Sequence, residues 1–142
     1  MPIQLEIVTP ERLAYSDMVD SVQVPGSEGE LGVLPHHAPL VSLLGIGELR
    51  IRKGGAEESF AIIGGFLQVL PDKVIVLAET ADMASEIDLE RAQEARQSAE
   101  KALETGFHEG ADLSTARAAL QQALLRERLA QRRHREGPRH RG

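Results

Sequence analysis

The residues best equipped for chemistry crowd into "GSEGELGVLPHHAP", positions 26–39, which holds His36 and His37, Glu28 and Glu30, three glycines and two prolines. In a strand, adjacent histidines point to opposite faces, so this pair does not chelate one ion together. The other histidines, His108, His134 and His140, lie far downstream, and no HxH or HExxH spacing occurs. The chain has no cysteine, which removes disulfides, thiolate nucleophiles and thiolate metal sites together. No G-x-S-x-G is present. Gly26, Gly29 and Gly32 space as G-x-x-G-x-x-G, which is neither a Walker nor a Rossmann fingerprint, and strands rather than a helix follow. The expectation is therefore no catalytic residue and no metal site. What remains is a stiff turn: glycines supply positive φ, Pro35 and Pro39 fix φ, and the glutamates stay solvated. Rigid exposed loops on a sheet commonly carry recognition.

The elements that must position this loop read as two grammars. Nine glycines fall within 26–65 and none between 66 and 105. Before residue 85 the chain reads as short strands. "IQLEIV" alternates Ile3, Leu5 and Ile7 with polar neighbours. "SVQV" alternates Val22 and Val24, and "GELRIRKGG" alternates Leu49 and Ile51 before turning at Gly54–Gly55. "GFLQVLPDKVIVLAE" places a Pro71–Asp72 turn between two more strands. Period-two alternation broken by turn residues predicts half-buried antiparallel strands in a β-sandwich.

After residue 85 the pattern turns helical. Asp88 is the expected N-cap of a first helix, with Ile87 before it as a staple. Ala92, Ala95, Ala99 and Ala102 repeat at 3-4-3 spacing, and Leu113, Ala116, Leu120 and Leu124 mark one face of a second helix. A short loop, 105–112, makes an antiparallel hairpin. The predicted fold is an N-terminal antiparallel β-sandwich (1–85), a C-terminal two-helix hairpin (86–135) and a basic, disordered tail (136–142). Alanine faces bury little area, so the hairpin is expected to dock and undock on a rigid sandwich.

The chain has 142 residues and a net charge of −6. Residues 1–85 carry 12 acids and 5 bases, whereas 126–142 carry 7 arginines against 2 acids. That asymmetry points to a charged partner for the basic end. The opening "MPIQLEIVTPE" shows no basic start followed by an apolar run, so no signal peptide is expected, and the most apolar window, 38–47, is about half the length a membrane helix needs. A soluble, intracellular chain without direct membrane insertion is expected.

Three stretches resemble one known family. "GSEGELGVLPHHAPLV" is similar to the signature loop of the epsilon subunit of F-type ATP synthases. "GGFLQVLPDKVIVLAETA" (64–81) resembles its closing hairpin, and "IDLERA" (87–92) the element opening its helical pair. They occur in family order over nearly the whole chain to about residue 130. The resemblance implies a non-catalytic rotor subunit on the central stalk. Its partners would be the gamma subunit, the c-ring and the alpha/beta catalytic head, peripheral to the cytoplasmic face of the cell membrane. By matching position, Glu30 and His37 would lie at the c-ring contact.

The same resemblance implies a hairpin that can extend into the head and block rotation in the hydrolytic direction. Arg126, Arg128, Arg132 and Arg133 would then meet an acidic loop of the catalytic beta subunits. Some members bind ATP on the folded hairpin, and the matching positions here are Asp82, Ile87, Asp88, Arg91, Ala92 and Arg126. Asp82 stands where good binders have glutamate, and Gln122 and Ser98 where they have arginine. An amide offers phosphate one neutral donor in place of a charged fork. No cofactor is required, and ATP is expected as a weak regulatory ligand at most. Two rivals remain. A nucleic-acid module would use the arginine-rich tail, but one Tyr, three Phe and no Trp leave no stacking platforms. A small sandwich enzyme lacks its constellation.

Overall fold

The computed structural model describes residues 2–27, 29–33, 39–104 and 113–136. They form two compact units that divide between Met83 and Ala84. The first contains seven strands: β1 (Ile3–Val8), β2 (Leu13–Val19), β3 (Ser21–Gly26), β4 (Gly29–Val33), β5 (Leu40–Lys53), β6 (Ala56–Leu70) and β7 (Lys73–Met83). Their order in one hydrogen-bonded sheet is β2-β1-β7-β6-β5-β3-β4.

One pairing corrects the all-antiparallel expectation. β1 runs parallel to β7, with Leu5 beside Val74 and Ile7 beside Val76. The meander β5-β6-β7 leaves β7 with a free edge, and β1 fills it in the direction that aligns their buried residues. Alternation specifies which face a strand buries, not the direction of its neighbour.

The sheet curls until distant strands meet. The Asp20 N–H donates to the Arg52 carbonyl at 2.8 Å, and the Gly54 N–H donates to the Asp20 carboxylate at 2.8 Å. Lys53 donates to the Asp17 carboxylate, and the Tyr15 ring meets Phe60 edge-on at 5.7 Å. The Lys53 hydrogen bond, and then the Met18 N–H, hold the Asp17 carboxyl below its ordinary range. The enclosed core includes Ile3, Leu5, Ile7, Val22, Leu49, Ile51, Phe60 and Ile62. Each such side chain contributes about 1.5–3 kcal/mol by leaving water.

β5 and β6 span 14 and 15 residues, longer than the separate short strands read from the sequence. A crease runs across them and into β7. The core takes Leu44 and then Leu49 and Ile51 from β5, and Phe60 and Ile62 and then Leu67 and Val69 from β6. From β7 it takes Val74, Val76 and Ala78 and then Ala81. In each strand the buried phase inverts once. The ladder omits Gly45, Gly64 and Glu79 at that line. Gly64 and Gly65 have φ of +62° and +124° there. The register is the same on either side of that line, so this is a crease rather than a bulge, and the positive-φ glycines bend the strand there and re-aim its side chains. The Gly54–Gly55 turn, with φ of +55° and +82°, has the positive pair of a two-residue hairpin loop.

The second unit holds a 3-10 turn (Ala84–Glu86), α1 (Leu89–Glu104) and α2 (Leu113–Glu136). Asp88 caps α1 as expected: its carboxylate accepts the Arg91 N–H at 3.2 Å, and its carbonyl accepts the Ala92 N–H at 3.0 Å. The helix faces differ from the expectation. In α1, Ala92 is buried and Ala99 half-buried, but Ala95 and Ala102 are exposed. In α2, Leu113 and Leu124 are exposed while Ala123, Leu125, Leu129 and Ala130 are buried. Helix α2 packs against both α1 and the 3-10 turn, so its buried side is wider than one apolar stripe. The 105–112 loop and the tail beyond 136 lie outside the described residues.

Candidate functional site

The glycine- and histidine-rich stretch 26–39 is described in part. Glu30 sits on β4, well exposed, with its carboxylate 3.9 Å from the Arg50 guanidinium. His36 and His37 lie outside the described residues. Beside β4, a cleft of about 380 Å³ is lined by Ser21, Gln23, Arg50, Arg52 and Glu57, among others. Its arginines lie close to acids, Arg50 to Glu48 at 3.8 Å and Arg52 to Glu57 at 3.5 Å. The Ser59 hydroxyl donates to Glu48 at 2.7 Å. The cleft thus carries matched charge rather than an anion trap. Among the described residues no group of three or more His, Cys, Asp or Glu could hold a metal ion.

The most distinctive surface is apolar. Leu43 on β5 pairs with Phe66 on β6, and Phe66 with Leu77 on β7. Leu77 pairs with Val8 on β1, and Val8 with Leu13 on β2. Cross-strand partners share a face, so these five residues form one row over five strands, about 19 Å long at about 4.8 Å per strand step. Leu13, Leu43, Phe66 and Leu77 are 58%, 54%, 53% and 47% exposed, and Val41 beside them is 68% exposed. A contiguous apolar stripe on a soluble face marks an interaction surface. The sequence reading missed it. The available signal was "LVSLL" (40–44), where both strand faces are apolar although a solvated face should be polar.

The residues matched to nucleotide binding are partly brought together. Ile87, Asp88, Arg91 and Ala92 form the first turn of α1 and its cap. Arg91 is exposed and Ala92 buried. Arg126 lies on α2, half-buried and with a polar partner. Asp82 belongs to the first unit, near the end of β7 opposite Ala61.

The four arginines Arg126, Arg128, Arg132 and Arg133 of α2 do not make one patch. At about 100° per residue, Arg126 and Arg133 share one side of the helix, and Arg128 and Arg132 the opposite side. Arg128 is exposed, and the other three are half-buried. An acid interrupts them: Glu127 accepts a hydrogen bond from Arg96 Nε of α1 at 2.5 Å. Arg96 Nη1 also donates to Glu100, one turn along α1, at 2.5 Å. The Glu127 side chain is 12% exposed and that of Arg96 25%. The Glu127 hydrogen bond, against the desolvation of the site and with help from Glu100, raises the Arg96 pKa further above its ordinary range. The alanine spacing carried no hint of this contact.

Comparison with known proteins follows the same two units. Residues 2–84 match the family model described as ATP synthase, Delta/Epsilon chain, beta-sandwich domain. Residues 85–131 match that of the Delta/Epsilon chain, long alpha-helix domain. The chain is 50% identical over 129 residues to the ATP synthase epsilon chain of Syntrophobacter fumaroxidans, covering 91% of this chain and 96% of that one. It is 44% identical over 131 residues to the ATP synthase epsilon chain of Dehalococcoides mccartyi, covering 92% and 94%. In fold it is similar to a chain in the cryo-EM structure of Euglena gracilis mitochondrial ATP synthase, OSCP/F1/c-ring in rotational state 1. That match has a TM-score of 0.71 at 24% identity and covers 92% of this chain and 81% of that one.

Proposed function

Because this chain belongs to the ATP synthase delta/epsilon chain family, we propose that it is the central-stalk epsilon subunit that couples c-ring rotation, driven by a proton gradient, to ATP synthesis in the catalytic head. It is a non-catalytic subunit of that complex. The observation that carries the reading is the apolar row Leu13–Val8–Leu77–Phe66–Leu43 on a creased sheet. A joint in a rotary shaft must bury apolar surface on its neighbour and must not bend. The row supplies the first property, and the strand-to-strand ladder beneath it the second. In this reading the gamma subunit covers the row, and Glu30 and His37 face the c-ring. No helix among the described residues is long and apolar enough to cross a membrane. The membrane association assigned here is peripheral, through the complex at the cytoplasmic face of the cell membrane.

The C-terminal hairpin acts in this reading as a brake on ATP hydrolysis, with Arg126, Arg128, Arg132 and Arg133 meeting an acidic loop of the beta subunits. Their placement on two sides of α2 supports contact with a cleft rather than with a flat surface. The deciding experiment compares the complex with and without residues 86–142. Truncation is expected to raise ATP hydrolysis severalfold at unchanged assembly, and unchanged hydrolysis would remove the brake from the reading. Nucleic acid is not assigned as a partner.

ATP is assigned at most a weak regulatory role. Asp88 already spends its carboxylate on the α1 cap, and Gln122 and Ser98 supply no charged fork. Calorimetric titration of the chain with ATP is expected to give no binding or dissociation constants in the millimolar range. A micromolar constant would overturn this.

A further inference from the structure

We propose that Arg96 and Glu127 form an ionic clasp that decides whether α1 and α2 lie side by side. Small side chains are among the buried residues of both helices, beside Leu125 and Leu129 on α2. Ala92 and Ala123 are nearly fully buried, and a methyl group leaving water contributes little adhesion. The charged contact between them is shielded: Glu127 is 12% exposed and accepts its hydrogen bond at 2.5 Å. Salt screens such a pair less than it screens pairs on the open surface.

The clasp is asymmetric. Arg96 keeps a partner on its own helix, Glu100, one turn away. Glu127 has no such support. Its neighbours three and four residues away on α2 are Leu124 and Ala130, Ala123 and Gln131, and none is a cation. Losing Arg96 therefore leaves a shielded carboxylate without a counter-charge, which a protein tolerates poorly. Losing Glu127 leaves Arg96 still paired. Glu127 is also the single acid among residues 126–133, so closing the clasp neutralises the acid and leaves the rest of that segment purely basic.

This inference concerns the element given a braking role above, but its test needs only the isolated full-length chain. Clasp and brake can therefore fail separately. The chain has no cysteine, so spin labels at Ser98→Cys and Gln121→Cys, both exposed, report the helix separation alone. The parent is expected to show one short-distance population. Arg96→Gln should raise the parted population roughly tenfold, the scale of a lost charge-assisted hydrogen bond, and Glu127→Gln should raise it less. The double variant should open no further than Arg96→Gln alone, because two partners of one contact are not additive. Far-UV circular dichroism on each variant separates parting from loss of helix. The clasp is overturned if Arg96→Gln keeps the short distance, if Glu127→Gln opens the pair as much, if the two effects simply add, or if helicity is lost in step with separation.

Discussion

A Gly65→Ala chain is expected to lose a large part of the stability of its strand unit, about 4 kcal/mol or more. Two independent costs meet at this position. The backbone holds φ at +124°, a conformation that side-chain-bearing residues rarely adopt. A Cβ built there would also lie 1.9 Å from the Leu77 carbonyl oxygen and 2.9 Å from the Ala78 Cα. Both are backbone atoms of the paired strand, so no rotamer change relieves the overlap, and β6 and β7 must part. Domains of this size hold only about 5–15 kcal/mol in total. The matched control is Gly54→Ala, also at positive φ, where a Cβ would meet nothing within 4 Å. That variant should cost only about 1–2 kcal/mol. Urea denaturation of both reads the difference directly. A Gly65→Ala midpoint at or above that of Gly54→Ala would show that the crease is softer than its geometry implies.

The next residue should behave in the opposite way. Phe66→Glu is expected to leave the fold within about 0.5–1 kcal/mol of the parent, since its ring is already 53% exposed. Binding to a gamma-containing stalk should nevertheless weaken about a hundredfold, near 2.7 kcal/mol. Phe66 lies between Leu77 and Leu43 in the five-strand row and is its one aromatic, the side-chain type that anchors interfaces. A charge there would have to be desolvated against apolar neighbours on both flanking strands. Met18→Glu is the control. Met18 is 42% exposed and lies in a row with Gln4 and Lys73 rather than with the apolar residues. It should bind like the parent. Equal binding by Phe66→Glu and Met18→Glu would detach the row from assembly.

Much of the local structure was legible because local physics sets it. Ile3, Leu5 and Ile7 alternate and are buried in alternation. The turns at Gly54–Gly55 and Pro71–Asp72 sit between the expected strands, and Asp88 caps the helix that it was expected to cap. What escaped was non-local. The crease splits long strands into segments of opposite phase, and a reader who follows alternation stops at each inversion and counts two strands. The apolar row exists only once five strands are ordered side by side, and pairing order is not written in any one of them. The α1 face was misread because its alanines were taken as the buried stripe. Its inner side instead includes Arg96, whose guanidinium reaches Glu127 on α2. Among the matched site residues, Glu30 and the α1 turn can be followed, whereas His37 falls outside the described residues.

The parallel match of β1 with β7 also sets an order of events. β1 and β2 can zip together as soon as they leave the ribosome, but the other edge of β1 waits until Lys73 to Leu77 have been made. Pairing of chain segments this far apart gives the strand unit a high contact order, which places it among the slower-folding small domains. The closing pair of the sheet thus joins the first strand of the unit to the last, so an unfinished first unit presents an open β1 edge until β7 arrives.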